Sequence, residues 1–125
     1  MSKFTKSEAI ELAKEKLIKS GCSEENTKGI IEGIIDAEYS GIKSHGFHYL
    51  PIYCNHLKIG KIKGNSKASS DKISNSAIKV DADNGFPHSA INLGFPKLFD
   101  MCSKEGISSM SIFNSYNCGV LGFHT

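Results

Sequence analysis

Apolar positions in the first sixty residues recur at helical spacing. Thr5 and Glu8 form a capping box ahead of Ile10, Ala13 and Leu17, which share one face of a helix that Gly21 stops. Ser23 opens a second helix with Glu24 and Glu25 in its first turn, where carboxylates complement the helix dipole. Ile30, Ile31, Ile34 and Ile35 make its apolar stripe, and Gly41 ends it. Two short amphipathic helices cannot bury those faces alone, so they pack on each other or on a partner. Ser44 is the expected N-cap of a third helix covering 45–59, with a kink or restart at Pro51 and a stop at Gly60.

Residues 61–76, KIKGNSKASSDKISNS, are polar and without period, and read as a connector. Period-two alternation then predicts a strand from Ala77 to Val80, running into an Asp-Asn-Gly turn. A helix follows, with Ile91, Phe95, Leu98 and Cys102 on one face and Gly106 after its end; Gly94 and Pro96 weaken its middle. ISSMSIF, 107–113, is a second strand. Strand, helix and strand with short connections predict parallel pairing through a right-handed crossover. The expected organisation is a helical segment over 1–60, a connector over 61–76 and an incomplete β-α-β portion over 77–125. A two-stranded parallel sheet with one helix leaves a face and both edges open, so the pattern suggests part of a larger fold.

Composition changes this picture little. The chain has 125 residues, 39% hydrophobic and 22% charged, and a formal charge of +2, which implies no nucleic-acid partner. All 15 basic residues are lysines. Without arginine, no bidentate fork is available for a carboxylate or phosphate. The cysteines at 22, 54, 102 and 118 form no C-x-x-C pair, so no zinc or other metal site is expected. No apolar run reaches the length of a membrane span and no signal-peptide h-region opens the chain. A reduced, cytoplasmic protein is expected.

Three stretches can carry chemistry. On a helix after Ser44, His45 and Tyr49 share a face at i and i+4, continued by Ile52 and Tyr53, while His48 and His56 point elsewhere. His45 then suits an acid or base flanked by hydroxyls, although the same spacing suits an ordinary amphipathic helix. DADNGF, 81–86, is either an acidic ligand loop or a turn, and the turn is the simpler reading. NSYNCGVLG, 114–122, follows a strand, where α/β proteins bind ligands, but lacks G-x-G-x-x-G. Cys118 has no basic neighbour in sequence and reads as inert.

The order of these motifs, Ser44-His45-Gly46, Leu50-Pro51, Tyr53, Gly60, VDADNGF at 80–86, KEGI, then Asn114-Ser115 with Gly119 and Gly122, resembles the malate/L-lactate dehydrogenase family of the second type. The resemblance runs from the first helix to Thr125. It implies an α/β fold, an N-terminal helical subdomain followed by the start of a non-Rossmann mixed α/β sheet domain, seen here as the N-terminal portion of a longer enzyme. It further implies NAD- or NADP-dependent interconversion of 2-oxo and 2-hydroxy acids, or reduction of cyclic imines, by a homodimer.

Carried over by position, His45 is the proton donor, Ser44 lies by the cofactor and Tyr53 by the substrate. Two positions depart from the family pattern. Tyr49 stands where the family has an arginine holding the substrate carboxylate, and Asn117 where it has an acid–base histidine. Asn transfers no proton at neutral pH, and a tyrosine gives one neutral hydrogen bond in place of a charged pair. These departures imply a changed substrate, with His45 as the leading acid. The alternative they leave open is a non-catalytic truncated relative that binds or dimerises.

Overall fold

The computed structural model describes residues 4–125, which cluster as two units: the chain up to Asn65 with Cys118–Thr125, and Ser66–Asn117. In the first unit, α1 (Lys6–Lys19) starts with the expected capping box. Thr5 Oγ1 accepts the Glu8 N–H at 3.3 Å, and the Glu8 carboxylate accepts the Thr5 N–H at 2.7 Å. Those bonds favour the ionised acid and hold Glu8 below the usual carboxylate range. Ala13 and Leu17 are buried. Ser23 caps α2 (Glu24–Tyr39), which buries Thr27, Ile30, Ile31, Ile34 and Ala37. Ile35, placed on the apolar stripe from sequence, is only half-buried, because the buried arc is set by i, i+3, i+4, i+7 steps from Thr27.

The α1–α2 junction is tied to a distant glycine. Gly64 C=O accepts both the Ser23 N–H and Asn26 Nδ2 at 3.0 Å. Beside it Cys22 is buried, and burial, with the Cys54 thiol adding to it, pushes the Cys22 thiol up to about 11.

The third helix is shorter than the sequence pattern indicates. After Gly41 at φ 72°, residues 43–49 form two single 3-10 turns, Lys43–His45 and Phe47–Tyr49, and α3 spans Leu50–Lys58. Pro51 is therefore a start signal in the first turn of α3, where its missing N–H costs nothing, and Ser44 caps no α-helix. Leu50, Tyr53 and Leu57 are buried, and Gly60 at φ 73° ends the run.

The second unit is a mixed three-stranded sheet in the order β1 (Ser69–Ser74), β2 (Ala77–Gly85), β3 (Ser109–Ser115). β2 and β3 pair in parallel through α4 (Pro87–Glu105), as expected, and Gly106 at φ 80° caps that helix. Ile78, Val80 and Ala82 alternate inward against Ala90, Leu93, Met101, Met110 and Ile112. Gly94 serves this packing: a side chain there would overlap the Met110 sulfur and begin 3.2 Å from Val80 Cγ2.

Two findings differ from the sequence pattern. The polar connector contains β1, which pairs antiparallel with β2 and covers one edge of the two-stranded sheet expected. The Asp-Asn-Gly turn does not end β2. Asp83 and Asn84 take φ 53° and 58° inside the strand, the register with β3 shifts between Asp81 and Gly85, and pairing resumes at Gly85. The turn chemistry is present, but it makes an irregularity and not a terminus. No helix among the described residues is long and apolar enough to cross a membrane.

Candidate active site

The double 3-10 turn gathers four of the five candidate residues. Ser44 Oγ lies 3.0 Å from His45 Nδ1. The His45 and Tyr49 rings are parallel within 8° with centroids 6.1 Å apart, and the Tyr49 ring meets Tyr53 edge-on at 4.8 Å and 70°. Ser44 is exposed, His45 and Tyr49 are half-buried, and Tyr53 is 4% exposed. The array therefore runs from a solvent-facing hydroxyl through an imidazole to a buried phenol. The face that the sequence assigned to one α-helix is made instead by two 3-10 turns and the start of α3. His48 is exposed, and His56 lies further along α3 outside these ring contacts.

The turn is held from α2. Gly46 N–H bonds the Lys43 carbonyl at 3.3 Å, Tyr49 N–H bonds the Gly46 carbonyl at 3.0 Å, and between them the Glu38 carboxylate accepts the Phe47 N–H at 2.7 Å. Nothing in the sequence singles out Glu38. It is one more exposed acid at a helix end, and its partner is nine residues away.

The fifth candidate, Asn117, belongs to the second unit, on the exposed loop after β3. That loop is anchored at two points. Asn114, at φ 49°, donates from Nδ2 to both Asp81 carboxylate oxygens, at 3.2 and 3.3 Å, and Asp81 Oδ1 also accepts the Asp83 N–H at 2.8 Å. Two residues on, Tyr116 N–H bonds the Gly85 carbonyl at 2.9 Å, and its ring meets Phe86 edge-on at 5.8 Å. Asp81 is thus an anchor the sequence reading assigned to a turn. The signal available was its Asp-x-Asp spacing, which lets one carboxylate accept a backbone N–H two residues on.

The segment Cys118–Thr125 clusters with the first unit, and there Gly119 takes φ 68°. The Tyr53 hydroxyl lies 3.9 Å from where a Gly119 side chain would begin. Among the described residues no three His, Cys, Asp or Glu side chains are grouped to hold a metal ion.

Residues 4–125 match the family model described as malate/L-lactate dehydrogenase. The chain is 33% identical over 89 residues to a (2R)-3-sulfolactate dehydrogenase (NADP(+)) of Chromohalobacter salexigens, covering 71% of this chain and 26% of that protein. It is 27% identical over 110 residues to a Δ1-pyrroline-2-carboxylate reductase of Ancylobacter novellus, covering 88% of this chain and 32% of the relative. The chain thus spans about a quarter to a third of the length of the curated relatives it matches. Among solved structures, the Δ1-piperideine-2-carboxylate reductase of Pseudomonas syringae pv. tomato superposes with a TM-score of 0.89 at 24% identity, over 97% of this chain and 36% of that one.

Proposed function

Because the chain belongs to the malate/L-lactate dehydrogenase family, we propose that it carries the acid–base side of an oxidoreductase site. That site interconverts a 2-oxo acid and its 2-hydroxy acid, or reduces a cyclic imine, with NAD or NADP. The observation that carries the reading is the Ser44–His45–Tyr49–Tyr53 array: an imidazole with one nitrogen on a hydroxyl, stacked on a phenol.

A nicotinamide cofactor fits the residues present. The Ser44 hydroxyl is exposed and bonded to His45, so it can accept a contact from a bound group. A bound nicotinamide would supply the hydride, and Ser44 is the side chain that would hold it. The remaining chemistry belongs to the chain. As imidazolium, His45 donates from Nε2 to the oxygen or nitrogen that gains negative charge, and its Nδ1–H stays on Ser44 Oγ. In the oxidative direction the neutral ring accepts that proton at Nε2, with the same Nδ1–H bond fixing the tautomer. Tyr49 and Tyr53 offer hydroxyls to the substrate. Asn117 can orient a group by its amide, but it moves no proton at neutral pH.

The test is oxidation of NADH or NADPH by the protein as its gene encodes it, against a panel of 2-oxo acids and cyclic imines. His45→Ala is expected to lower kcat by about 10²- to 10⁴-fold. Turnover retained in that variant removes His45 as the proton donor. Absence of both turnover and nucleotide binding in the parent favours the second reading, a binding module without catalysis. That reading rests on Asn117.

A further inference from the structure

Gly46 is closed to a side chain by its surroundings. It takes φ −87° and ψ −145°, whereas Gly21, Gly41 and Gly60 take positive φ. The restriction is steric. A side chain at Gly46 would overlap the Glu38 carboxylate, with Cγ of Glu38 2.9 Å from its first atom. That carboxylate occupies the space in order to accept the Phe47 N–H at 2.7 Å, a charge-assisted bond in the middle of the double turn. On one side of that N–H lies the turn bearing Ser44 and His45; on the other lies the turn bearing Tyr49.

We infer that Glu38 is a positioning residue for His45, and that Gly46 is glycine in order to admit it. The inference rests on the reading of His45 as the acid. Without this bond the Lys43–His45 and Phe47–Tyr49 turns keep their packing and their single-turn hydrogen bonds, which hold a 3-10 segment weakly. The 8° stack of His45 on Tyr49 then loses its fixed geometry, and a proton donor is effective only within hydrogen-bond reach of its target. Glu38 is exposed at the end of α2, so its removal leaves the buried Ile30, Ile31 and Ile34 packing intact.

The test combines exchange, kinetics and a double-mutant cycle. In the gene-encoded protein the Phe47 amide should exchange slowly. Glu38→Ala and Gly46→Ala should each expose it, while Glu38→Gln, which keeps an acceptor oxygen, should protect it. In the gene-encoded protein, Glu38→Ala should lower kcat by about 10- to 100-fold, with KM changed by less than about twofold. Glu38→Gln should recover most of that loss. Gly46→Ala should cost a similar factor alone and add nothing in the Glu38→Ala background, because the two changes remove the same bond.

Losses that multiply, or an unprotected Phe47 amide in the parent, overturn the inference. If His45→Ala abolishes turnover and Glu38→Ala does not, positioning fails and the acid stands. If His45→Ala leaves turnover intact, the acid fails first and takes the positioning role with it.

Discussion

Among the described residues, three side chains other than glycine's sit at positive φ: Asp83 at 53°, Asn84 at 58° and Asn114 at 49°. Asp and Asn tolerate this region best because their short polar groups bond locally. Here the bonds are visible. Asp81 takes the Asp83 N–H and the Asn114 amide, and the Asp83 carboxylate takes the Lys67 N–H at 3.0 Å. One carboxylate therefore holds two left-handed residues on neighbouring strands. Asp81→Ala is expected to lower the stability of the second unit by about 1.5–3 kcal/mol, the range for hydrogen bonds to a charged group, with Asp81→Asn nearer the parent. Urea denaturation of the three proteins measures it; equal midpoints would show that Asp81 anchors nothing.

At the scale of elements, the α1–α2 junction depends on one backbone contact. A side chain at Gly64 would overlap the Gly21 carbonyl and begin 2.9 Å from Cys22 Cα, and backbone has less freedom to give than a side-chain tip. Gly64→Ala should therefore also weaken the bonds from Ser23 and Asn26, costing about 1–3 kcal/mol. An unchanged thermal midpoint would contradict that.

Local signals in the sequence were legible because their partners lie within a turn. Thr5 with Glu8, Ser23, and the glycines at 21, 41, 60 and 106 all mark ends that the structure confirms. Features set by distant partners were not. β1 exposes nearly all its side chains and has no apolar alternation, so only its ladder with β2 makes it a strand. Residues 45–49 fit an α-helical pattern, and what makes them part of a double turn instead is a carboxylate from Glu38. The candidate residues followed the same rule. Spacing put His45, Tyr49 and Tyr53 on one face, and their rings do meet, by a different backbone route.

The described residues fall into two clusters, one helical and one around the mixed sheet. The first is not contiguous in sequence. The chain leaves it after Asn65 and returns with Cys118–Thr125, where His124 Nε2 lies 3.1 Å from the Cys118 carbonyl. The helical unit therefore includes a contact of long sequence separation, α2 against the 3-10 turn Leu121–His124, whose formation closes a long loop at an entropic cost.

Cys22 makes that unit readable from outside. A thiol held near 11 is protonated at neutral pH and, being buried, is also out of reach of reagents, so it is doubly unreactive. The exposed Cys102 should label at once with a thiol reagent, and Cys22 only when the junction between α1 and α2 opens. Because its folded value is raised, the stabilisation linked to it is complete below about 9.0 and is lost as pH rises toward about 11. Labelling at Cys22 should accelerate across that interval by more than the rise in free thiolate alone. A rate equal to that of Cys102 would show the junction already open. One buried sulfur thus serves as a built-in clock for the breathing of the helical unit, timed without attaching a probe.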